Sequence, residues 1–527
     1  MTDSTTVPTA APPAAGPPGP HRATLPIVLT GVFLGGLDFF IVNVAVPAVQ
    51  RDLHATDAQI QLMVAAYALT YGVGLITGGR LGDLYGRRRI LALGMALFTA
   101  ASAAAGAAPT ADLLIAGRVL QGAAAALMAP QVLGIITTSY QGPARTRAVG
   151  WYAAASGIAA VFGQLIGGVL IRADLFGLGW RACFLVNLPI GLAAATAAAR
   201  LLPESKAPGR PRLDLTGLAL ATAALTALCL PLIEGREQGW PLWTRLLPVA
   251  APLLLAAFTL QQRRLRRRGG TPSVDLALFR ERAFTAGLAA QLVFWASMAS
   301  YFLVFALYLQ QGRHLTPIAS GLVFSALGAG YVAASATARH LAARIGRHAI
   351  TAGCALRAAG LLLELWAVAG DGRSPGWLLP GLLLDGAGMG LSFAPLTATV
   401  LARVPAASAG SAGGVLTTGL QVGNALGVAL IGLVFYRVLA DTPGPGAVPA
   451  AFRACLWCVL AATGLLALIV QALPGRRAER RRPDGPPPLP GARYGRPPRS
   501  SGMRSPASTA AGRRFPAGGS GQVARSV

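Results

Sequence analysis

The sequence predicts an all-α polytopic membrane protein of fourteen transmembrane helices, built from two six-helix bundles plus two inserted central helices. Three observations predict this fold class. Hydrophobic residues make up 54% of the 527 residues, and charged residues make up only 12%. Apolar runs of the roughly 20 residues needed to span a bilayer also recur along nearly the whole chain. Average soluble domains are far less apolar, so most of the chain is predicted to lie in a membrane.

The apolar runs form a group of six, a pair and a second group of six. The first group is predicted near 25–47, 59–79, 90–108, 112–138, 149–171 and 182–202. The pair and the second group are predicted near 213–233, 243–262, 284–309, 317–338, 349–369, 376–400, 408–434 and 453–473.

These runs predict three membrane domains between two disordered cytoplasmic tails. The domains are an N-terminal six-helix bundle, two extra helices with basic cytoplasmic linkers, and a C-terminal six-helix bundle, at 25–202, 203–283 and 284–473. The tails are predicted at 1–24 and 474–527, and the second is rich in Arg and Pro.

The formal net charge of +26 is spread over short loops and the C-terminal tail. The most basic loops, at 80–89, 200–214 and 263–282, alternate with nearly neutral ones. By the positive-inside rule the basic loops are cytoplasmic, so both termini are predicted to lie in the cytoplasm. The predicted location is the cell (plasma) membrane, which the chain crosses several times. The same distribution argues against nucleic acid as a partner. Arginine is nearly the only base, and abundant Ala, Gly and Pro indicate a GC-rich, bacterial genome.

The sequence predicts neither an enzyme nor a bound cofactor. The five cysteines lie in or beside apolar runs, and the five histidines are scattered over tails and loops without metal-ligand spacing. No phosphate-binding Gly-Lys-Ser/Thr loop is present. A membrane-embedded transferase would need a sizeable polar catalytic domain, which the sequence does not contain.

A weak internal repeat predicts that the two bundles are duplicates. Residues in the first half recur 260 positions later: Leu81, Gly86, Arg87, Gly163 and Gly167 match Leu341, Gly346, Arg347, Gly423 and Gly427. Duplicated halves with a substrate site between them near mid-membrane are common in secondary transporters.

The loop between predicted spans two and three contains Gly79, Asp83, Gly86 and Arg87. Small residues let helices approach closely, and Asp83 and Arg87 have the spacing of an ion pair on a helical turn. A basic anchor for topology alone would not require the glycines or Asp83. The pattern therefore favours a conformational latch over a simple anchor.

Arg118 lies within predicted span four, where a guanidinium costs roughly 2.5 to 3.5 kcal/mol on insertion scales. Such a cost requires a partner, and Asp38 in predicted span one is the candidate. Asn43 follows on the same span. A purely structural salt bridge, or a polar residue beside a water-filled lumen, remains the alternative.

These stretches closely resemble the major facilitator superfamily, specifically its fourteen-span drug:proton antiporter branch, over about residues 25–473. The matches to its three signatures are Gly79, Leu81, Asp83, Gly86 and Arg87; Arg118, Gln121 and Gly122; and Leu37, Asp38, Ile41, Val42, Asn43 and Pro47. The resemblance implies that Asp38, with Asn43, takes part in proton or substrate coupling, that Arg118 assists, and that the loop residues control switching.

The resemblance also implies a function: proton-coupled export of drug-like, hydrophobic or cationic small molecules by alternating access, with no cofactor. The implied partners are a small-molecule substrate, protons and the lipid bilayer, and the protein is expected to work as a monomer. A narrow-substrate exporter of an antibiotic or other metabolite fits the same residues. A non-export transporter of the same fold is a further alternative.

Predicted span five departs from the branch's antiporter signature, which usually pairs glycine with proline. Here the residues are Gly163, Gln164, Gly167 and Gly168. The glycines still allow a close helix contact. Gln164 replaces the proline, which leaves the export direction less firmly indicated.

Additional charged and aromatic residues are predicted inside the second bundle. Arg357 and Glu364 are seven residues apart on one helix face, and Asp385 lies in the next span. They are either a structural charge cluster or substrate contacts. The ninth predicted span carries the aromatic residues Phe294, Trp295, Tyr301 and Phe305. They could stack on a cationic ligand, but core packing is the favoured explanation.

Overall fold

The computed structural model describes residues 22–206, 213–270, 272–370, 374–401 and 409–473. The predicted tails lie outside these residues, apart from 22–24. Every regular element in the described part of the chain is helical. Thirteen helices are long and apolar enough to span a membrane, and a bent pair, Gly142–Ala160 with Phe162–Ala173, makes the fourteenth. The predicted fold class is therefore confirmed.

The helices follow the predicted apolar runs in order. The first bundle comprises α1 (Thr24–Asp52), α2 (Asp57–Tyr85), α3 (Arg87–Gly106), α4 (Ala111–Ser139), α5 (Gly142–Ala173), and α6 (Ala182–Leu185) with α7 (Asn187–Leu201) as one span. The inserted pair is α8 (Leu215–Glu234) and α9 (Leu242–Arg267). The second bundle comprises α10 (Arg282–Leu307), α11 (Pro317–Ile345), α12 (His348–Ala369), α13 (Leu378–Leu401), α14 (Ala409–Asp441) and α15 (Ala447–Gln471).

Polar caps and glycine breaks set where several helices begin and end. At the start of α2, Thr56 and Gln59 form a capping box: Gln59 N donates to Thr56 Oγ1 (3.2 Å), and Thr56 N donates to Gln59 Oε1 (3.0 Å). Between α2 and α3, Gly86 has φ of +106°, a conformation that favours glycine. The chain thus breaks and restarts a helix within a single residue.

The two bundles share one packing pattern. In the first, α2 and α3 pack against α4, and α1 packs against α5; in the second, α11 and α12 pack against α13, and α10 packs against α14. The bundles meet where α5 contacts α11 and where α2 contacts α14. These matching contacts agree with the duplication that the internal repeat predicts.

The inserted helices lie at the edge of this arrangement. They pack against each other, and α8 also contacts α2 and α14. Most of α9 is exposed at the protein surface, which in a bilayer would face lipid.

Candidate functional site

A buried ion pair joins α1 to α4 in the first bundle. Arg118 Nη1 donates to Asp38 Oδ2, and both side chains are fully buried (0% exposed). A charge buried without a partner is costly, so each of these residues depends on the other. The structure thus brings together Arg118 and Asp38, the partner predicted for it from the cost of placing an arginine inside a span.

Neutral side chains complete the shell around Asp38. Its Oδ1 accepts from Gln121 Nε2 (2.8 Å) and from Asn187 Nδ2 (2.9 Å), while Ser102 Oγ accepts from the same two amides (2.8 and 3.3 Å). Arg118 Nε in turn donates to the Met63 carbonyl (3.1 Å). Both Asp38 oxygens therefore have donors suited to an ionised carboxylate.

Asn43 does not join this network. Its Nδ2 donates to the Phe40 carbonyl of its own helix (3.3 Å), and its Oδ1 has no hydrogen-bond partner. In this conformation Asn43 is therefore a buried polar group apart from the Asp38 and Arg118 pair. Its predicted part in coupling stays a prediction.

A cavity of about 250 Å³ lies between the two bundles, lined by α1, α2, α4 and α5 and by α10, α11, α13 and α14. More than a third of its lining residues are aromatic, against 7% of the whole chain. None of the lining residues within the described chain carries a charge. Such a chamber suits an apolar ligand with aromatic rings.

Tyr67 connects the cavity with the buried ion pair. It lines the cavity, its ring centroid lies 4.3 Å from Arg118 Cζ, and its hydroxyl donates to the Gly35 carbonyl (3.0 Å). The charged pair therefore lies one side chain behind the cavity wall.

A second buried charge cluster occupies the second bundle. Arg357 Nε lies 3.0 Å from Asp385 Oδ1, and Arg357 Nη1 donates to Ser297 Oγ (2.9 Å). Tyr301 Oη donates to Glu364 Oε2 (2.8 Å). All five side chains are buried.

Of the five proposed substrate contacts, the structure places only Trp295 in the cavity wall, where its Nε1 donates to Gln291 Oε1 (3.1 Å). Arg357, Glu364, Asp385 and Tyr301 are not among the residues that line this cavity. They form a charge cluster behind the wall, so direct substrate contact by these four is not supported by this conformation.

The loop residues of the predicted latch form the expected ion pair without a helical turn. Arg87 Nη2 donates to Asp83 Oδ1 (2.9 Å) across the break at Gly86. Glu204, which follows α7, accepts from Arg88 N (3.1 Å) and lies against Gly86. Gly79 packs against Pro130 of α4.

The span-five residues lie where three helices meet. Gly163 and Gly167 pack against α1 at Phe40, Ile41 and Val44, and Gly168 packs against Pro317 at the start of α11. Gln164 is buried, and neither atom of its amide has a partner.

Sequence reasoning missed most of the neutral residues at the site. Gln121 was visible as part of a signature, but Ser102, Asn187 and Tyr67 are uncharged residues on other helices, and no sequence pattern connects them with Asp38. The cavity wall was missed for the same reason, apart from Phe294 and Trp295.

Comparisons with known proteins agree with this architecture. Residues 28–428 and 287–507 match the family described as Major Facilitator Superfamily. The "Probable actinorhodin transporter" of Streptomyces coelicolor is 41% identical over 434 residues, covering 81% of this chain and 75% of that protein. The puromycin resistance protein of Streptomyces alboniger is 38% identical over 425 residues, covering 79% and 82%.

Among solved structures, a POT family transporter in complex with 5-aminolevulinic acid superposes with a TM-score of 0.62. The match covers 86% of this chain and 97% of that chain, at 14% identity. At that identity the likeness shows the fold alone.

Proposed function

The chain belongs to the Major Facilitator Superfamily of membrane transporters, and on that premise we propose that it is a proton-coupled exporter of hydrophobic, drug-like molecules. The observation that carries the proposal is the Asp38 and Arg118 pair, buried one side chain behind an aromatic cavity between duplicated bundles. Its relatives, a transporter and a resistance protein of Streptomyces, support export of an antibiotic-like compound.

The proposed coupling is a competition for Asp38 between Arg118 and a proton. In this conformation Arg118, Gln121 and Asn187 all donate to the carboxylate, which stabilises its ionised form. A rocking motion that separates α1 from α4 would remove these donors and let the carboxylate take up a proton. One proton moving down about 150 mV yields roughly 3.5 kcal/mol, enough for a gradient of a few hundred-fold.

Contacts between the bundles support alternating access with the outer end closed. Gln310 Nε2 donates to the Val44 carbonyl (3.0 Å), and Gln311 Nε2 donates to Gln50 Oε1 (3.0 Å). These residues lie at the helix ends opposite the basic loop 80–89, which is cytoplasmic by the positive-inside rule. We therefore assign this arrangement to an inward-facing state, with both termini in the cytoplasm and Asp83 and Arg87 as the inner latch.

The cavity favours uncharged aromatic substrates over simple cations. Its described lining residues include no carboxylate, so a cation would be held only by ring faces, such as those of Trp295 and Phe294. Polar contact is available from Asn424, whose Oδ1 is buried without a partner in the wall. A polycyclic aromatic molecule with one or two hydrogen-bond donors fits this lining best.

The experiment compares drug tolerance and dye accumulation in cells with and without the gene, each with and without an uncoupler. We expect cells with the gene to retain less Nile red, an uncharged aromatic dye, and to lose this difference when the uncoupler is added. Equal retention of aromatic dyes and antibiotics with and without the gene would refute export.

A narrow-substrate antibiotic exporter is the second candidate. The two relatives described above are each named for a single compound, which favours it. A panel of structurally unrelated compounds separates the candidates: protection against one chemical series indicates the narrow exporter, and protection against several indicates a multidrug pump.

A further inference from the structure

The charge cluster of the second bundle contains more acid than base. Asp385 and Glu364 would contribute two negative charges, whereas Arg357 contributes one positive charge, and all three side chains are buried. In the first bundle, by contrast, Asp38 and Arg118 balance one to one. An unbalanced buried charge is strongly unfavourable, so the surplus has to be neutralised.

Hydrogen bonding separates the two clusters in the same way. Asp38 accepts from three donors, whereas Glu364 has Tyr301 as its partner at Oε2 and none at Oε1. Neither oxygen of Asp385 accepts an aligned hydrogen bond, although Arg357 Nε lies 3.0 Å from its Oδ1 as an ion pair. The guanidinium thus serves Asp385, and Glu364 lacks a cationic partner at hydrogen-bond distance.

Close packing of α12 on α13 forces the two acids together. Each acid lies one helical turn after a glycine, Gly360 before Glu364 and Gly381 before Asp385. A Cβ at Gly381 would lie 2.8 Å from Glu364 Cγ, and one at Gly360 would lie 2.5 Å from Asp385 N. The absence of a side chain at Gly381 leaves room for Glu364, and its absence at Gly360 leaves room for Asp385. The two carboxyl groups therefore share one buried site.

Around Glu364, the ionisable groups are Tyr301 on α10, Arg357 on α12 and Asp385 on α13. The helices packed against α12 are α11, α13 and α15. Apart from Asp385, the charged side chains that the structure describes on them are Arg453 of α15 and His340 and Arg344 of α11, and all three are exposed.

We infer that Glu364 holds a proton in this conformation and is a second proton-carrying site, separate from Asp38. The inference rests on the proposed function for its role in transport, but the geometry of the cluster stands without it. In this state the two sites differ in protonation: Glu364 is a neutral carboxylic acid, and Asp38 is an ionised carboxylate. When Glu364 releases its proton to water, the cluster gains one negative charge.

The second bundle's first helix, α10, connects this site to the substrate cavity. Phe294, Met298 and Phe302 line the cavity. On the same helix, Ser297 accepts a hydrogen bond from Arg357, and Tyr301 donates one to Glu364. A substrate that displaces α10 would therefore move Tyr301 relative to Glu364 and change the stability of the bound proton.

Infrared spectroscopy of the purified full chain in a detergent without ester groups tests the protonation directly, because a protonated carboxyl group has a carbonyl-stretch band that carboxylates lack. At neutral pH we expect this band in the wild type and in Asp38→Asn. We expect its loss in Glu364→Gln and also in Asp385→Asn, where Glu364 alone would balance Arg357. Survival of the band in Glu364→Gln, or its loss in Asp38→Asn, would overturn the inference.

Tyr301→Phe keeps the inference testable even if Glu364→Gln does not fold. Removing the hydroxyl should shift the carbonyl band to the frequency of a less hydrogen-bonded acid without abolishing it. A band unchanged in position would show that the protonated group is not Glu364.

The coupling role is tested with everted membrane vesicles loaded by a pH gradient. We expect Glu364→Gln to move Nile red down its gradient but to accumulate several-fold less of it than the wild type does. Equal accumulation would overturn the coupling role. Failure of the wild type itself to accumulate dye or any antibiotic tested would refute the proposed export and leave the infrared result intact.

Discussion

At the residue scale, Asp38 is held by a shell built for a negative charge. Arg118, Gln121 and Asn187 donate to its two oxygens, and no water-exposed surface remains on either member of the ion pair. Replacing the carboxylate leaves Arg118 as a buried, uncompensated cation, which costs about 3 to 5 kcal/mol.

We therefore expect Asp38→Asn to abolish uncoupler-sensitive efflux and also to lower the melting temperature. The double variant Asp38→Asn with Arg118→Gln removes the unpaired charge, so it should recover most of the stability but none of the coupled efflux. Efflux assays and thermal unfolding of the purified proteins measure the two effects. Undiminished efflux by a stably expressed Asp38→Asn protein would exclude Asp38 from coupling.

Gln164 illustrates the opposite situation, a buried polar group without partners. Because its amide has no hydrogen bond, Gln164→Leu should remove a desolvation cost of about 1 to 3 kcal/mol and raise the melting temperature. The matched control is Gln131→Leu, since Gln131 is equally buried but donates to the carbonyls of Gly78 (2.8 Å) and Leu127 (3.0 Å). That variant should melt lower, and the same sign for both would contradict the argument.

The sequence predicts the charged residues of the site better than the neutral ones. The pairing of Arg118 with Asp38 follows from the cost of an unpaired guanidinium inside a span. Asn187 and Ser102 carry no such cost, since a neutral amide or hydroxyl finds partners in many places. Their convergence on Asp38 depends on the tertiary packing of α3 and α7, which no single-chain pattern encodes.

At the element scale, the break between α2 and α3 depends on Gly86. Its φ of +106° is strained for other residues, and a side chain there would collide with the Glu204 carboxylate. Gly79 lies in regular helix, where a Cβ would meet Pro130 Cβ at an ordinary 3.5 Å.

Gly86→Ala should therefore lower stability by about 1 to 3 kcal/mol and reduce efflux, whereas Gly79→Ala should leave both nearly unchanged. Thermal unfolding and dye efflux of the two variants give the comparison. Equal behaviour would show that the conformation of the turn is not what the loop requires.

Asp214, in the loop before α8, caps that helix and holds the inserted helices α8 and α9 together. Burial tends to raise the pKa of this carboxyl, but hydrogen bonds from Gln262, the Gly217 amide, Ser273 and Gln261 outweigh burial and lower its pKa below the usual value. The carboxylate thus joins α8, α9 and the following linker.

Because the folded-state pKa is lowered, the stabilisation from Asp214 is fully present above the unfolded pKa of about 3.9 and is lost as the pH falls through the lower folded value. Asp214→Asn should accordingly melt below the wild type at neutral pH, with the difference shrinking below about pH 4. A difference that is independent of pH would show that the carboxylate charge is not what fastens the pair.

Element number and order were predictable because each span needs its own long apolar run. Helix ends were less so: α9 reaches Arg267 and α11 reaches Ile345, beyond the predicted 262 and 338. Backbone hydrogen bonding continues into water after hydropathy has fallen, so apolar runs underestimate such helices. The 42° bend in α5 has no hydropathy signal either.

At the scale of the whole molecule, each of the two duplicated bundles holds one buried charge cluster, and one aromatic cavity lies between the bundles. The repeat predicts the paired bundles, and the contacts of α2 with α4 and of α11 with α13 agree with it. The charged residues predicted inside the second bundle, Arg357, Glu364 and Asp385, do not line this cavity. The charged side chains lie behind the aromatic residues of the cavity wall, because a carboxylate exposed at this apolar wall would be poorly solvated.

This separation of charge from cavity has a mechanistic consequence. In the proposed mechanism, substrate and proton do not compete for one carboxylate. Each instead acts on the helices that the cavity and the charge clusters share. Coupling then depends on movement of α1 and α10, which contribute to both the cavity wall and the charged shells.

The most direct test of proton-coupled export is uptake of Nile red into everted membrane vesicles containing the wild-type protein, with a pH gradient imposed across the vesicle membrane. We expect accumulation that begins when the interior is made acidic, collapses on addition of an uncoupler and does not require ATP. Uptake of the same size without a pH gradient, with an uncoupler present, would contradict the account.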